Sequence, residues 1–412
     1  MKDHLHASTP TQKSRGTSLL WTTLCLLGIL LLNVVIHPLL TFLSFSADQP
    51  LPNTLPAQTI ERPIANEQPF TSAPNNHQQW RKLFANIPAV SKAPTLTIAN
   101  YAEDRAIREA ILSDVGQWEE DPHSQQRYFV ASNNLRVYFK NPDRLQPVEA
   151  MRDKLAEQSE RTALTARIVM GLWFCRRYDA RFASCGSVVM RADEILQWRG
   201  VQKHQRRAYA GSQKRFSDGY QWKHKQQVMQ DLQLLQYYYV QGEHTIVEQG
   251  KVRRLPVDSP YLHLTSLQSI TSEDEPLVGY LVRPGAWMDE YAAYNNVYVT
   301  EMQRRIFQLH PQNDRLALRM SLYLVEHWRY LARGQKYQMP LVMADLLAAS
   351  MIPVDKANLT SRFAPRVEVA LQKLYEQGIV GEKPVCLTPV DRTKAHWGAD
   401  WLASSWCITP PR

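Results

Sequence analysis

The sequence predicts a mostly α protein with small β-hairpins, built as an N-terminal transmembrane helix, a linker and two similar three-helix domains. Three observations predict this. Residues 19–45 run for 27 positions without Asp, Glu, Lys or Arg. Residues 46–98 are polar and punctuated by proline. Beyond them, two regions repeat one plan, three helical patterns followed by a short hairpin. The expected divisions are a basic tail over 1–18, the transmembrane helix over 19–45, the linker over 46–98, and domains over 99–260 and 261–412.

The apolar run is long enough to cross a bilayer core, and a soluble helix would show a polar stripe that this one lacks. It exceeds the apolar core of a signal peptide, and Phe45-Ser46-Ala47 is a poor cleavage site. Lys2, Lys13 and Arg15 precede it, and no Lys or Arg follows until Arg62. That asymmetry puts the tail inside and the C-terminal bulk outside. A single-pass membrane protein is expected. The linker carries Pro50, Pro52, Pro56, Pro63, Pro69, Pro74, Pro88 and Pro94, a composition that cannot bury enough apolar surface to fold alone.

In the repeat, the first helix is read in TALTARIVMGLWFCRRY, with Leu164, Ile168, Gly171, Leu172 and Cys175 on one face. Its counterpart is RLALRMSLYLVEHWRYLARG, with Leu318, Leu322, Val325 and Trp328. A shorter second helix follows: VVMRADEILQW, capped by Ser187 and ended by Gly200, and PLVMADLLAASM, opened by Pro340. The third is YQWKHKQQVMQDLQLLQYYYV in one region. In the other it is APRVEVALQKLYEQG, with Pro365 in its first turn and Gly378 at its stop. Hairpins are read in HTIVEQGKVRRLPV, turning at Gln249-Gly250, and in GIVGEKPVCLTP. Three helices followed by a hairpin is the plan of a winged helix. A plain three-helix unit for protein contact fits the same pattern.

Between Arg199 and Lys225 lie Arg199, Lys203, Arg206, Arg207, Lys214, Arg215, Lys223 and Lys225, opposed only by Asp218. This is most of the chain's net charge of +9. Such a cluster at the entry to a third helix suits double-stranded DNA, since that helix enters the major groove by its N-terminal end. Anionic lipid would also suit it. Lys251, Arg253 and Arg254 on the first hairpin add further candidates, as do Lys356, Arg362 and Arg366 near the second third helix.

Two tandem units of this plan, the first with a basic third helix, resemble the replication initiators of plasmids and other mobile elements. The resemblance covers residues 160–390 and implies a non-enzymatic protein that binds DNA at an origin as monomer or homodimer. An N-terminal membrane helix departs from that pattern. The rival expectation is a membrane-bound structural component with its globular part outside the cytoplasm. The sequence holds no phosphate loop, dinucleotide fingerprint, HExxH or GxSxG motif, so neither catalysis nor a cofactor or metal is expected. The cysteines outside the apolar run, Cys175, Cys185, Cys386 and Cys407, would form two disulfides in an oxidising compartment and stay thiols otherwise.

Overall fold

The structure is a computed structural model. It describes residues 93–140, 148–179, 183–184, 186–204, 219–248, 251–272, 275–293, 298–332, 336–337 and 339–411. The chain divides into units Met1–Ala73 and Pro74–Arg412, and every described residue belongs to the second.

The N-terminal elements are β1 (Thr95–Ala99), α1 (Ala102–Leu112), β2 (Glu119–Glu120), β3 (Arg127–Val130) and β4 (Arg136–Phe139). Next come α2 (Val148–Ala156), α3 (Glu160–Arg176), β5 (Ala183–Ser184), β6 (Ser187–Arg191), α4 (Ala192–Trp198) and α5 (Trp222–Gln236). Four long strands follow: β7 (Tyr238–Glu248), β8 (Lys251–Pro260), β9 (Leu262–Ser272) and β10 (Glu275–Pro284). A connection of α6 (Ala286–Ala293), β11 (Val299–Gln303) and α7 (Arg304–Phe307) leads to α8 (Arg315–Ala332). The chain closes with β12 (Leu341–Val342), α9 (Met343–Ala349), α10 (Ala364–Glu376), β13 (Val385–Cys386), α11 (Trp397–Leu402) and β14 (Ser405–Cys407).

The expected mostly α fold with small hairpins is corrected to a mixed α/β fold. Strands β2-β3-β4-β7-β8 form a five-stranded antiparallel sheet, and β5-β6-β10-β9 form a second sheet. The cause lies in residues 238–248. Tyr238, Val240, His244 and Ile246 are buried, while Glu243 and Thr245 between them are exposed. That period of two belongs to a half-buried strand. The third helix was expected to run on through the tyrosines to Val240; it stops at Gln236 instead.

The membrane expectation is corrected as well. Among the described residues no helix is long and apolar enough to cross a membrane, and a single-pass membrane protein is not supported. The apolar run 19–45 and most of the expected linker lie outside the described residues. The linker's last positions, expected to be unstructured, form β1, which pairs with β11.

With β5, β7, β8 and α11 set aside, two parts of the chain share one order of elements: helix, strand, helix, helix, strand, strand. In the first these are α3, β6, α4, α5, β9 and β10; in the second, α8, β12, α9, α10, β13 and β14. In both, the last strand lies between the other two, as β6-β10-β9 and β12-β14-β13. The expected winged-helix plan orders its strands the same way, so the likeness is one of connection order alone. The pair in the place of the first wing is therefore the β9–β10 hairpin, which lies wholly beyond residue 260, where the sequence reading divided the domains. The hairpin expected there, β7–β8, exists in the predicted register, Glu248 facing Lys251. It joins the five-stranded sheet instead. The second hairpin is not local either: β13 pairs with β14, which holds the buried Trp406.

Ser187 opens strand β6 and caps no helix, and Pro340 precedes strand β12. Gly200 and Gly378 do end their helices, at φ +68° and +64°, a left-handed geometry that glycine adopts without strain. Helix α3 was expected to bury one face. It is buried on nearly every side from Thr162 to Trp173, because β1 crosses it at Gly171, where a Cβ would stand 2.6 Å from the Leu96 side chain. Cys175, Cys386 and Cys407 are free thiols; Cys185 lies outside the described residues.

Candidate nucleic-acid interface

Helix α5 is held by charges that the sequence reading assigned elsewhere. Asp231, fully buried, accepts hydrogen bonds from Arg161 Nε at 3.0 Å and from the hydroxyls of Thr162 and Thr165. Arg199, at the end of α4, stands 3.6 Å from the same carboxylate. One acid thus ties α3, α4 and α5 together. Burial raises the Asp231 pKa against the opposing pull of Arg161 and Arg199, and burial lowers that of Arg199. Lys225 is also buried, 3.3 Å from Asp193 on α4. Arg199 and Lys225 are therefore joints of the helical unit, and the structure removes both from the cationic surface.

The other cations of the cluster are placed differently. Lys203 is exposed, with its ammonium 5.8 Å from the centre of the Tyr220 ring. Lys223 is exposed in the first turn of α5. Arg206, Arg207, Lys214 and Arg215 lie outside the described residues. The chain that carries them leaves at His204 and returns at Gly219, which are paired by a β-bridge. Both ends are thereby fixed beside the start of α5. His224 in that first turn has a lowered pKa, from burial first and then from Lys223 and Arg199.

Lys251, Arg253 and Arg254 are exposed on β8. The β7–β8 ribbon carries them as part of the five-stranded sheet and not as the wing. In the second unit, a turn of π-helix over Leu359–Phe363 leads into α10, with Pro365 in its first turn. Arg362 and Arg366 are exposed one helical turn apart, and Lys356 is exposed just before them. Inside, Val367, Leu371 and Leu374 are buried. Glu368 fastens the wing segment to α10 by accepting hydrogen bonds from Arg392 at 2.6 Å and from the Trp401 indole at 2.9 Å.

A search of solved structures finds a likeness. The chain is similar to a crystal structure of domains 2 and 3 of RctB, at 9% identity and a TM-score of 0.38, over 74% of this chain and 98% of that one. No protein-family model and no curated protein matches the chain.

The sequence reading missed one part of this surface. Gln226, Gln230 and Gln233 are exposed along α5 in line with Lys223. Their signal was present in WKHKQQVMQDLQLLQ as polar residues three and four apart, opposite the apolar Val228, Leu232 and Leu235. Attention to charge alone passed over them. Among the described residues no group of three or more His, Cys, Asp or Glu is placed to hold a metal ion.

Proposed function

We propose that this protein binds double-stranded DNA without catalysing a reaction, through the third helices of two winged-helix units, in the regulation or replication of a genetic element. The observation that carries the reading is the repeated presentation of those helices. Each of α5 and α10 buries one side and exposes the other, and each has exposed cations at its N-terminal end: Lys223 on α5, Arg366 on α10 and Arg362 in the π-helical turn just before it. Backbone donors and the helix dipole favour phosphate at that end, and the major groove admits a helix entering by it. Lys251, Arg253 and Arg254 on the β7–β8 ribbon supply further phosphate contacts in this reading.

The test is titration of the full chain with labelled duplex DNA at several salt concentrations. Affinity should fall steeply with salt, and Arg362→Ala with Arg366→Ala should weaken binding and flatten the slope by about one unit per lost phosphate contact. Salt-independent binding, or an unchanged slope in the double variant, would refute the reading.

A further inference from the structure

The exposed face of α5 carries more than charge. Lys223, Gln226, Gln230 and Gln233 are spaced three, four and three residues apart, so they form one stripe on the helix. The other faces are committed: Asp231 and Lys225 are joined to neighbouring helices, and Val228, Leu232 and Leu235 enter the core. Among the described residues no hydrogen bond or ion pair engages the side chain of Gln226, Gln230 or Gln233 on the open side. A face selected only for phosphate would carry Lys or Arg, as the start of α10 does at Arg366 and the turn before it at Arg362. Glutamine brings no charge. It brings a planar amide with a donor and an acceptor side by side. In the major groove that pair matches adenine, whose N6 donates and whose N7 accepts. Lysine, with no acceptor, cannot make the same match.

The dimensions agree. From Gln226 to Gln233 the helix rises about 10 Å, at about 1.5 Å per residue, which spans about three base pairs at about 3.4 Å each. Lys223, one turn before Gln226, falls where a helix entering by its N-terminus meets the backbone.

We propose that α5 reads adenine bases in the major groove through Gln226, Gln230 and Gln233, so that the first unit selects a short A·T-containing site. This rests on the DNA-binding reading above. It adds a division of labour: the cations hold the duplex, and the glutamines choose the sequence.

The experiment selects duplexes from a random pool with the full chain. It then compares the wild type with the Gln226→Ala, Gln230→Ala, Gln233→Ala triple variant on the selected site and on unrelated DNA. The wild type should enrich adenines at about three neighbouring positions. The triple variant should bind the selected site at least about ten-fold more weakly, which is the lower range for losing one bidentate base contact. Its affinity for unrelated DNA and its salt slope should not change. Replacing those adenines by 7-deazaadenine should weaken the wild type and leave the variant unaffected. If the triple variant unfolds, the three single variants take its place, each relaxing selection at one position. A wild type that binds duplex with a steep salt slope but selects no adenine overturns this inference alone, as does a variant selecting the same adenines. A wild type that binds no duplex overturns the DNA reading beneath it, and this inference with it.

Discussion

At the scale of single residues, burial decides what a charge does. Arg199, Lys203, Lys223 and Lys225 are equivalent in a charge count. Two of them close ion pairs inside the helical unit, and two face outward. Asp104 on α1 shows the same principle in its titration. It is buried and accepts a hydrogen bond from the Tyr261 hydroxyl at 2.9 Å. Burial pushes its pKa up to about 6, although Arg167 and the Tyr261 hydrogen bond pull the other way. The folded chain thus holds this proton more tightly than the unfolded chain does. The group's contribution to stability is fully present below its ordinary value near 3.8 and is lost as pH rises through about 6. Asp104→Asn keeps an acceptor for Tyr261 and cannot ionise. Thermal midpoints measured across that interval should fall less with rising pH in the variant than in the wild type. Parallel curves would mean that Asp104 is already ionised throughout.

At the scale of elements, α3 and α8 open the two parts of the chain that share one order of elements, and they run side by side in the same direction. Glu160 on α3 meets Arg319 on α8 at 2.7 Å and Arg315 at 2.5 Å. Two turns further along, Arg167 meets Glu326. The two charges are exchanged between the helices, acid then base on α3 and base then acid on α8. Burial opposes ionisation of Glu160, yet Arg319 and Arg315 prevail and hold its pKa below the usual range. Helix α1 joins the second pair, with Arg108 Nε 3.1 Å from Glu326. Glu326 is thus the shared acid of two buried arginines. Glu326→Ala takes away the acid they share, with Glu109 at 3.6 Å still facing Arg108 and Asp104 still acting on Arg167, and should cost up to about 3–5 kcal/mol, measured by urea unfolding. A loss below about 1 kcal/mol, the range of an exposed pair, would show that water reaches the site.

At the scale of the whole molecule, these pairs tie the two parts of shared element order into one object. Helix α1 packs between them with Glu103, Asp104, Arg108 and Glu109 all buried. Glu103 is bonded to His244 at 2.8 Å and to Tyr291 at 3.1 Å. The acidic and basic groups of α1 thereby reach the five-stranded sheet, the connection at α6 and the second unit. Thermal unfolding should therefore show one transition, with calorimetric and van't Hoff enthalpies in agreement. Two separated transitions would mean that the units melt independently. A single body also fixes the distance between α5 and α10, so a DNA site contacted by both would tolerate no change in the spacing of its halves.

What the sequence determined by itself is the local part. Spacings of three and four residues marked α3 and α8, Pro365 marked the start of α10, the glycines at 200 and 378 marked two helix ends, and Gln249-Gly250 marked the break between β7 and β8. Each is set by backbone preference or by the face a helix must bury, and neighbours in the chain suffice to state it. The long-range part was decided only in the tertiary structure. Nothing local tells that β9–β10 is the wing while β7–β8 extends a sheet begun at β2, because strand partners are chosen by which edges and apolar faces meet. Nor does a run of Arg and Lys reveal that Asp193 and Asp231 claim two of its members. The proposed interface is legible in the sequence as a basic stretch. Its division into buried joints, exposed cations and a glutamine stripe comes from packing, which buries one side of α5 and leaves the other open.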